Sequence, residues 1–233
     1  MALEEALKWA GLPFRKRRDG TCPYIIIDGA WATTAKRLGS RFRKRLARNR
    51  RLLAANGCTT RVIERPMSEP GLFDQIVALE SLKRIPGVAD CRVLSREPRF
   101  FGDLFRAVEN SGSLYLALLE KQGRLVAYEI GFRCGGSMWV YNKAYDLDFA
   151  SYSPGTALIP EVLDYAWQRG IPEFDFLRGE EEYKRRWTTL THQNARFEIW
   201  NRRVVSRVAG FLAFSIAPAG RETWRIIRRL PEE

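Results

Sequence analysis

The sequence predicts an α/β (α+β) fold in which helices flank one mixed central sheet and a basic helical segment precedes it. The 233 residues are 45% hydrophobic and 28% charged, a balance typical of a chain with a buried core. β-rich runs in the middle of the chain predict a three-strand meander, and apolar residues at helical spacing follow it. A meander that continues through a helix to a further strand is an α/β arrangement.

The first predicted element is a basic helix. The stretch from Lys36 to Arg51 holds nine Lys and Arg residues and no acidic residue. Ser40 fits an N-cap, Gly57 follows the C-terminal end, and one packing stripe is formed by Phe42, Leu46 and Leu53. The basic face has no acidic residues to offset its repulsion, which favours an anionic partner over a merely solvated surface. The candidate partners are phosphate groups of RNA, a carrier, a nucleotide-type donor or lipid, and the binding residues would be Arg41, Arg43, Lys44, Arg45 and Arg48.

The remaining elements follow in chain order. Before the meander, the sequence predicts a strand at 61–64 and helices at 73–83 and 100–109. The meander strands are predicted at 114–120, 125–132 and 137–141, and residues 121–124 form the first turn. After the meander come a helix at 155–168, a strand at 173–177, a short helix at 181–187 and a last strand at 195–200.

Three segments are predicted from this order and from the charge. They are an N-terminal segment with the basic helix (1–58), the α/β domain (59–200) and a basic amphipathic C-terminal segment (201–233). The C-terminal apolar run at 208–219 is shorter than the roughly 20 residues that a membrane-spanning helix needs. Packing on the domain is favoured over lying on a membrane surface, so a cytoplasmic chain is expected, with peripheral membrane contact as the alternative.

Several classes of chemistry are disfavoured. The four cysteines are dispersed, which suits reduced thiols in a cytosol better than a disulfide framework. A single histidine and the absence of paired cysteines predict no metal site. No nucleotide-binding P-loop motif is present, and His192 has no nucleophile-elbow motif to accompany it.

A loop at the start of the 155–168 helix carries the clearest binding signal. Its sequence is Tyr152-Ser153-Pro154-Gly155-Thr156-Ala157, in which the glycine lets the backbone approach a ligand and the helix start offers N–H groups. Such a site suits a phosphate ester or pyrophosphate. The alternative, that Pro154 and Gly155 merely begin a helix, stays open.

This loop combines with two later motifs into a family resemblance. The motifs are Phe174-Asp175-Phe176-Leu177-Arg178-Gly179 and Tyr183-Lys184-Arg185-Arg186-Trp187. With Tyr145-Asp146 and Gly170 they resemble the CelD-type acetyltransferase domains of the GNAT superfamily, which is related to the Fem-type aminoacyl transferases. Glu80, Lys83 and the stretch 22–25 also resemble that family, and the likeness covers most of residues 20–200. Family members are usually longer, with a further N-terminal GNAT-like half of which residues 1–58 would be a remnant.

The resemblance implies a GNAT-like acyltransferase. It would move an acyl or aminoacyl group from an activated, phosphate-bearing donor to an amine, with acyl-CoA, a carrier-bound acyl group or aminoacyl-tRNA as co-substrate and no tightly bound cofactor. The donor would bind at the residues Tyr152, Ser153, Gly155, Thr156, Ala157 and Arg178. Tyr152 stands where the usual loop has Arg or Gln, which leaves the carrier of the donor open.

The resemblance also implies catalytic roles. Tyr183 would protonate the leaving group, and Lys184 would stabilise charge on the acyl-transfer intermediate. The candidate bases or orienting residues are Asp146, Glu80, Asp175 and Glu129. Two alternatives remain, namely a Fem-type peptide-bond-forming transferase that uses aminoacyl-tRNA, and a non-catalytic RNA- or polyanion-binding module on the same fold.

Overall fold

A computed structural model describes residues 3–83, 92–179 and 181–201. The chain forms two compact units, one of Met1–Gly20 with Gln193–Glu233 and the other of Thr21–His192. These bounds differ from the predicted segment limits at 58 and 200, which stay a prediction. The predicted C-terminal segment lies outside the described residues except for Asn201.

Eight helices and seven strands make up the described part of the chain. The helices are α1 (Leu3–Trp9), α2 (Trp31–Arg37), α3 (Ser40–Ala55), α4 (Leu72–Ser81), α5 (Pro98–Glu109), α6 (Pro154–Ala157), α7 (Ile159–Gln168) and α8 (Glu182–Arg185). The strands are β1 (Phe14–Ile26), β2 (Cys58–Ile63), β3 (Leu114–Lys121), β4 (Arg124–Cys134), β5 (Ser137–Tyr145), β6 (Glu173–Asp175) and β7 (Thr191–Ile199). Two short 3-10 helices lie at Pro66–Ser68 and Leu147–Tyr152. Among these described helices, none has the length and apolar character needed to cross a membrane.

The strands form one mixed sheet in the order β2-β3-β4-β5-β6-β1-β7. β5 and β6 run parallel, whereas β6 pairs antiparallel with β1 and the β2-β3-β4-β5 meander is antiparallel throughout. The predicted α/β class with a mixed sheet and flanking helices is therefore confirmed. β1 was not predicted, and β5 is four residues longer at its end than the predicted strand.

Helices cover both faces of the sheet in the Thr21–His192 unit. One apolar core contains inward residues of α3, α7 and β6, and we call this side the α7 face. The second core contains residues of α4 and α5 on the opposite side, which we call the α4 face. Fully buried members include Leu158 and Phe174 on the α7 face and Ile76 and Phe105 on the α4 face.

A β-bulge interrupts the pairing of β4 with β5. Ile130 pairs with Asn142 and Gly131 pairs with Val140, so β5 has one residue, Tyr141, in excess. Gly131 is required there, because a Cβ atom would lie 2.1 Å from the Trp139 carbonyl oxygen. The bulge changes the side-chain alternation, so that Asn142 joins the α4 face.

The basic helix α3 has its predicted apolar stripe. Leu46 and Leu53 are buried, Phe42 is half-buried, and Gly57 takes a left-handed conformation just after the helix. Ser40 is the first helical residue, and its side chain makes no cap hydrogen bond, since Gly39 occupies the N-cap. The prediction of this helix is confirmed, with the cap displaced by one residue.

The smaller unit contains α1 and the outer parts of β1 and β7. Within it, Lys16 pairs with Glu4, Arg17 with Glu198 and Arg196 with Asp19. The Phe14 and Phe197 rings pack at 5.8 Å between their centres. Two of the four consecutive basic residues at 15–18 are thus paired with carboxylates within their own unit.

Candidate functional site

The loop predicted to bind phosphate lies between β5 and α6. Ser153 adopts a left-handed conformation with φ 50°, and its carbonyl oxygen accepts the N–H groups of Thr156 and Ala157 at 2.9 and 3.0 Å. Pro154 has no N–H, so the backbone amide left without a carbonyl partner at this bend is that of Gly155. Gly155 is itself buried, so the loop does not present the several main-chain donors expected from an open helix start.

Side chains from four elements meet beside this loop in a narrow cleft. Its lining residues are Phe42, Arg45, Leu46, Asn49, Ser153, Thr156, Tyr183 and Arg186. Its cavity volume is about 30 Å³, enough for one water molecule. The structure thus brings Tyr183, Ser153 and Thr156 together with Arg45 of the basic helix, as one chemical site would require.

Tyr183 lies half-buried on α8 with its ring edge-on to Phe176. Its hydroxyl makes no hydrogen bond to the described residues. Burial, followed by the nearby carboxylates of Glu129 and Glu181, raises the pKa of this phenol above its usual value. The hydroxyl therefore keeps its proton at neutral pH, and it could act as an acid only toward an atom that becomes strongly basic during the reaction.

A buried glutamate and a half-buried lysine lie behind Tyr183 on the α7 face. Glu129 of β4 and Lys143 of β5 are direct cross-strand partners. The Lys143 ammonium nitrogen lies 3.8 Å from the centre of the Tyr183 ring. Glu129 is fully buried, with one carboxylate oxygen 3.5 Å from the Tyr115 hydroxyl and the other, Oε2, without a hydrogen-bond partner among the described residues.

Burial shifts the pKa values of this pair toward each other. Loss of solvation raises the pKa of the Glu129 carboxyl to about 7, an effect opposed by Lys143. The same loss of solvation lowers the pKa of the Lys143 ammonium to about 8, an effect opposed by Glu129. Two groups with pKa values near neutrality thus lie next to a phenol whose pKa is raised.

Lys184 lies next to Tyr183 in the chain but faces the turn after β6. Its buried ammonium donates to the carbonyl oxygens of Leu177 and Arg178 at 3.2 and 3.1 Å and pairs with the Glu181 carboxylate at 2.9 Å. These three acceptors match the three N–H groups of an ammonium. Leu177 has a left-handed φ of 56°, so Lys184 holds a strained turn in place.

Asp175 supports the same turn from the other side. This buried residue accepts the Leu177 N–H at 2.6 Å, and burial raises the pKa of its carboxyl. Asp175 also belongs to the one group of metal-ligand type found among the described residues, together with Glu173 and His192, whose ligand atoms lie within 4.8 Å of one another. Glu173 and His192 already form a 3.0 Å contact, and the Tyr24 ring stacks on His192.

Glu80 lies on the α4 face, away from the cleft. Its fully buried carboxylate accepts the Val93 and Ser95 N–H groups, the Ser95 hydroxyl and the Asn142 amide at 2.7 to 2.9 Å. Burial alone would raise the pKa of Glu80, but these hydrogen bonds lower it. The sheet separates Glu80 from Tyr183, so its contacts give the predicted catalytic role no support.

The other predicted residues have varied positions. Asp146 is buried at the end of β5, where its carboxylate accepts the Asp148 N–H at 3.1 Å and pairs with Arg124. Tyr152 packs against the α7-face core and Ala157 is buried within it. Arg178 is exposed on the turn after β6. The structure does not bring these residues into the cleft, and their predicted roles stay predictions.

The basic face of α3 is exposed as predicted. None of its five predicted binding residues forms an ion pair within the described part of the chain, whereas Arg50 on the same helix pairs with Glu161. The Arg45 guanidinium lies 5.9 Å from the centre of the Phe42 ring and reaches the cleft. This face carries positive charge up to the edge of the loop.

Sequence reasoning missed two polar residues of this site. Lys143 was not a candidate, because its pairing with Glu129 depends on a register that the bulge displaces. Asn49 was also missed, although it lies three residues after Leu46 and four before Leu53 on the apolar stripe. A polar residue at a stripe position was the available signal.

Comparisons with known proteins identify a family and several similar folds. A family profile described as "Acetyltransferase (GNAT) domain" matches residues 40–185. A search of curated proteins finds no match. Among solved structures, the crystal structure of FemX matches with a TM-score of 0.60 at 12% identity, covering 85% of this chain and 68% of that chain.

Two further solved structures match over most of this chain. L-PGS from Bacillus licheniformis matches with a TM-score of 0.53 at 12% identity, covering 98% of this chain and 71% of that chain. The C-terminal domain of a putative lysylphosphatidylglycerol synthetase from Agrobacterium fabrum matches with a TM-score of 0.51 at 14% identity. The match covers 90% of this chain and 69% of that chain. At such identities these likenesses establish a shared fold, and each match spans about two thirds of the other chain.

Proposed function

This chain belongs to the acetyltransferase (GNAT) domain family, and from that premise we propose that it transfers an acyl or aminoacyl group from an activated, phosphate-bearing donor to an amine. Family membership makes the chain an acyltransferase, while its donor and acceptor are the subject of the proposal. The observation that carries the proposal is the single cleft where Ser153 and Thr156 of the loop meet the unpartnered hydroxyl of Tyr183, as far as the described residues extend.

The donor's phosphate would bind at the mouth of the cleft. Ser153, Thr156, Arg45 and Arg186 line the cleft and can offer hydroxyl and guanidinium donors there, although Arg186 is also paired with Glu182. Charge-assisted hydrogen bonds from guanidinium groups suit phosphate. Acyl-CoA and aminoacyl-tRNA both fit this description as co-substrates, and no tightly bound cofactor is proposed.

Proton transfer would use Lys143, Glu129 and Tyr183. The acceptor nitrogen attacks the donor's carbonyl carbon, a C–N bond forms, and the C–S or C–O bond to the carrier breaks. Lys143 in its neutral form takes the proton lost by the amine, and Glu129 stabilises the resulting ammonium. Tyr183 gives its proton to the departing sulfur or oxygen and regains one from Lys143 or water, so the net products are an amide and the protonated carrier.

Lys184 would position Tyr183 and would not itself contact the acyl-transfer intermediate. Its three N–H groups are occupied by Leu177, Arg178 and Glu181, which leaves none for a developing oxyanion. By fixing the turn after β6, it holds the start of α8 and thereby Tyr183. Asp175 contributes to the same turn through the Leu177 N–H.

The basic face of α3 favours an anionic partner beyond the donor's own phosphate. Five exposed cations without a carboxylate partner among the described residues suit the backbone of tRNA or another polyanion, or an anionic membrane surface. Under this proposal aminoacyl-tRNA would supply the donor, as in a Fem-type transferase. The non-catalytic polyanion-binding module is the alternative that uses the same surface without the cleft.

Ligand-induced stabilisation separates these possibilities. The melting temperature of the chain would be measured with acetyl-CoA, with free coenzyme A and with charged and uncharged tRNA, each in parallel with an assay of acyl transfer to amines. We expect one donor class to raise the melting temperature and to support transfer. Salt-sensitive binding of both tRNA forms without any transfer would instead support the non-catalytic module.

A further inference from the structure

Asn49 is a polar residue in an apolar position. It lies on the inward stripe of α3 between Leu46 and Leu53, and only 6% of its surface is exposed. Its side-chain amide makes no hydrogen bond to the described residues. The neighbouring stripe positions are leucines, so packing alone would favour leucine here as well.

The Asn49 amide lines the cleft beside the donor loop. Ser153, Thr156 and Tyr183 line the same cleft, which has room for about one water molecule. Phe42, Arg45 and Arg186 form part of both this cleft and a wider groove of about 540 Å³ that also includes Arg41. A group that lay in the groove could therefore place one polar atom against Asn49.

Buried polar groups in proteins are nearly always hydrogen-bonded. Neither amide atom of Asn49 is among the fully buried, unpartnered polar atoms of the described residues, so the amide reaches solvent through the cleft that it lines. Some buried polar side chains of this unit have partners, such as Asn142, which bonds to Glu80 and to Tyr128. Thr34 Oγ1, Trp187 Nε1 and Glu129 Oε2 are enclosed without a partner among the described residues. Asn49 differs in facing a cleft that leads to an arginine-lined groove. A ligand atom that enters the cleft would complete its hydrogen bonding.

We propose that Asn49 is a donor-binding residue, which hydrogen-bonds an uncharged carbonyl or hydroxyl group of the donor's carrier next to its phosphates. A carboxamide can both donate and accept, so it suits the neutral polar part of a carrier, whereas Arg41, Arg45 and Arg186 suit its anionic part. This inference rests on the proposed function, because it takes the cleft to be the donor site.

Asn49→Leu tests the inference, because leucine fills the stripe and removes the amide. We expect the melting temperature without ligand to stay the same or to rise, since an unpaired amide is replaced by a packing side chain. The dissociation constant and KM for the donor should rise about tenfold, as for loss of one hydrogen bond to a ligand, while kcat stays close to that of the wild type. Asn56→Ala at the C-cap of the same helix is the control, since the exposed Asn56 amide is already bonded to the Leu52 carbonyl.

The probes are acetyl-CoA and an aminoacyl-tRNA, measured by calorimetry and by initial rates. If the wild type binds one of them and Asn49→Leu binds it equally well, the inference is overturned while the proposed function stands. A marked fall in the melting temperature of Asn49→Leu would also overturn it, because the amide would then be structural. If the wild type binds neither probe, the proposed function fails and the inference fails with it.

Discussion

The ammonium nitrogen of Lys143 lies 3.8 Å from the centre of the Tyr183 ring, and this contact joins strand β5 to helix α8 behind the donor loop. A cation over an aromatic face is attracted by about 0.5–2 kcal/mol, depending on its solvation. The contact orients the phenol and keeps the lysine within reach of Glu129, its cross-strand partner. The proposed base and the proposed acid of the reaction are therefore held against each other.

Tyr183→Phe keeps the ring and removes the hydroxyl. If that hydroxyl protonates the leaving group, kcat should fall about 10²- to 10³-fold while donor affinity changes little. Steady-state rates and donor binding would be measured together. Tyr141→Phe is the matched control, because Tyr141 packs with Phe101 and Phe132 on the opposite face of the sheet. An unchanged kcat in Tyr183→Phe would remove the assigned role.

The rate should rise with pH as the Glu129–Lys143 pair loses protons, since the neutral lysine is the proposed base. Glu129 favours the charged form of Lys143, so Glu129→Gln should lower the pKa of Lys143 and move the rising limb to lower pH. Lys143→Met should abolish the limb. The measurement is kcat/KM between about pH 6 and pH 9. A limb that stays in place in Glu129→Gln would show that another group controls the rate.

Lys184→Met should act mainly through the turn that it supports. Methionine has a similar length but leaves the Leu177 and Arg178 carbonyl oxygens without their donor, at a cost of about 2 kcal/mol in unfolding free energy. For a chain of this size the melting temperature should fall by about 4–8 °C. Lys184→Arg would restore a donor and part of the stability. If Lys184→Met kept wild-type stability but lost activity, a direct catalytic role would be favoured over positioning.

Glu80→Gln tests the conclusion that this carboxylate is structural. Glutamine would turn an N–H₂ group toward one of the donors that now bond to Glu80. This unfavourable contact should lower the free energy of unfolding by about 1–3 kcal/mol. We expect a lower melting temperature and an unchanged kcat for the folded protein at 25 °C. A large loss of kcat without loss of stability would make Glu80 a catalytic candidate again.

The basic face of α3 can be tested by charge removal. Replacing Arg43, Lys44 and Arg48 by Gln should weaken tRNA binding. The slope of the logarithm of the binding constant against the logarithm of the salt concentration should become shallower by roughly one for each phosphate that is no longer neutralised. Arg106→Gln on α5 is the control, since Arg106 is exposed but paired with Asp103. Binding would be measured across a salt series. If the triple variant and the control did not differ, the basic face of α3 would be an ordinary solvated surface without a role in binding.

Local patterns predicted the sheet meander and α3 well. The turn at Gln122 and Gly123 has positive φ at both residues, as a tight hairpin requires, and its glycine was the signal used. β1 was missed because the run from Arg15 to Arg18 places charges on both faces of the strand, which hides the period of two.

The candidate site was predicted only where a motif marked it. The loop at Ser153 and the Tyr183-Lys184 motif stand out in the sequence, and the structure brings the loop and Tyr183 to one cleft. What Lys184 and Glu80 contact depends on the turn at Leu177 and on which face of the sheet each carboxylate reaches. Those facts arise from tertiary packing, and no local pattern carries them.

The extra residue at Tyr141 has a further consequence for how this strand can vary. Because of the bulge, Asn142 and Ala144 turn to the α4 face while Lys143 and Tyr145 turn toward the donor loop. If β5 instead ran as a regular strand with Tyr141 paired to Ile130, every following residue would shift by one and the two sets would exchange faces. An amide would then meet Glu129, and the lysine would lie among the apolar residues beside Glu80. The proposed pairing of Lys143 with Glu129 therefore depends on one extra residue in β5.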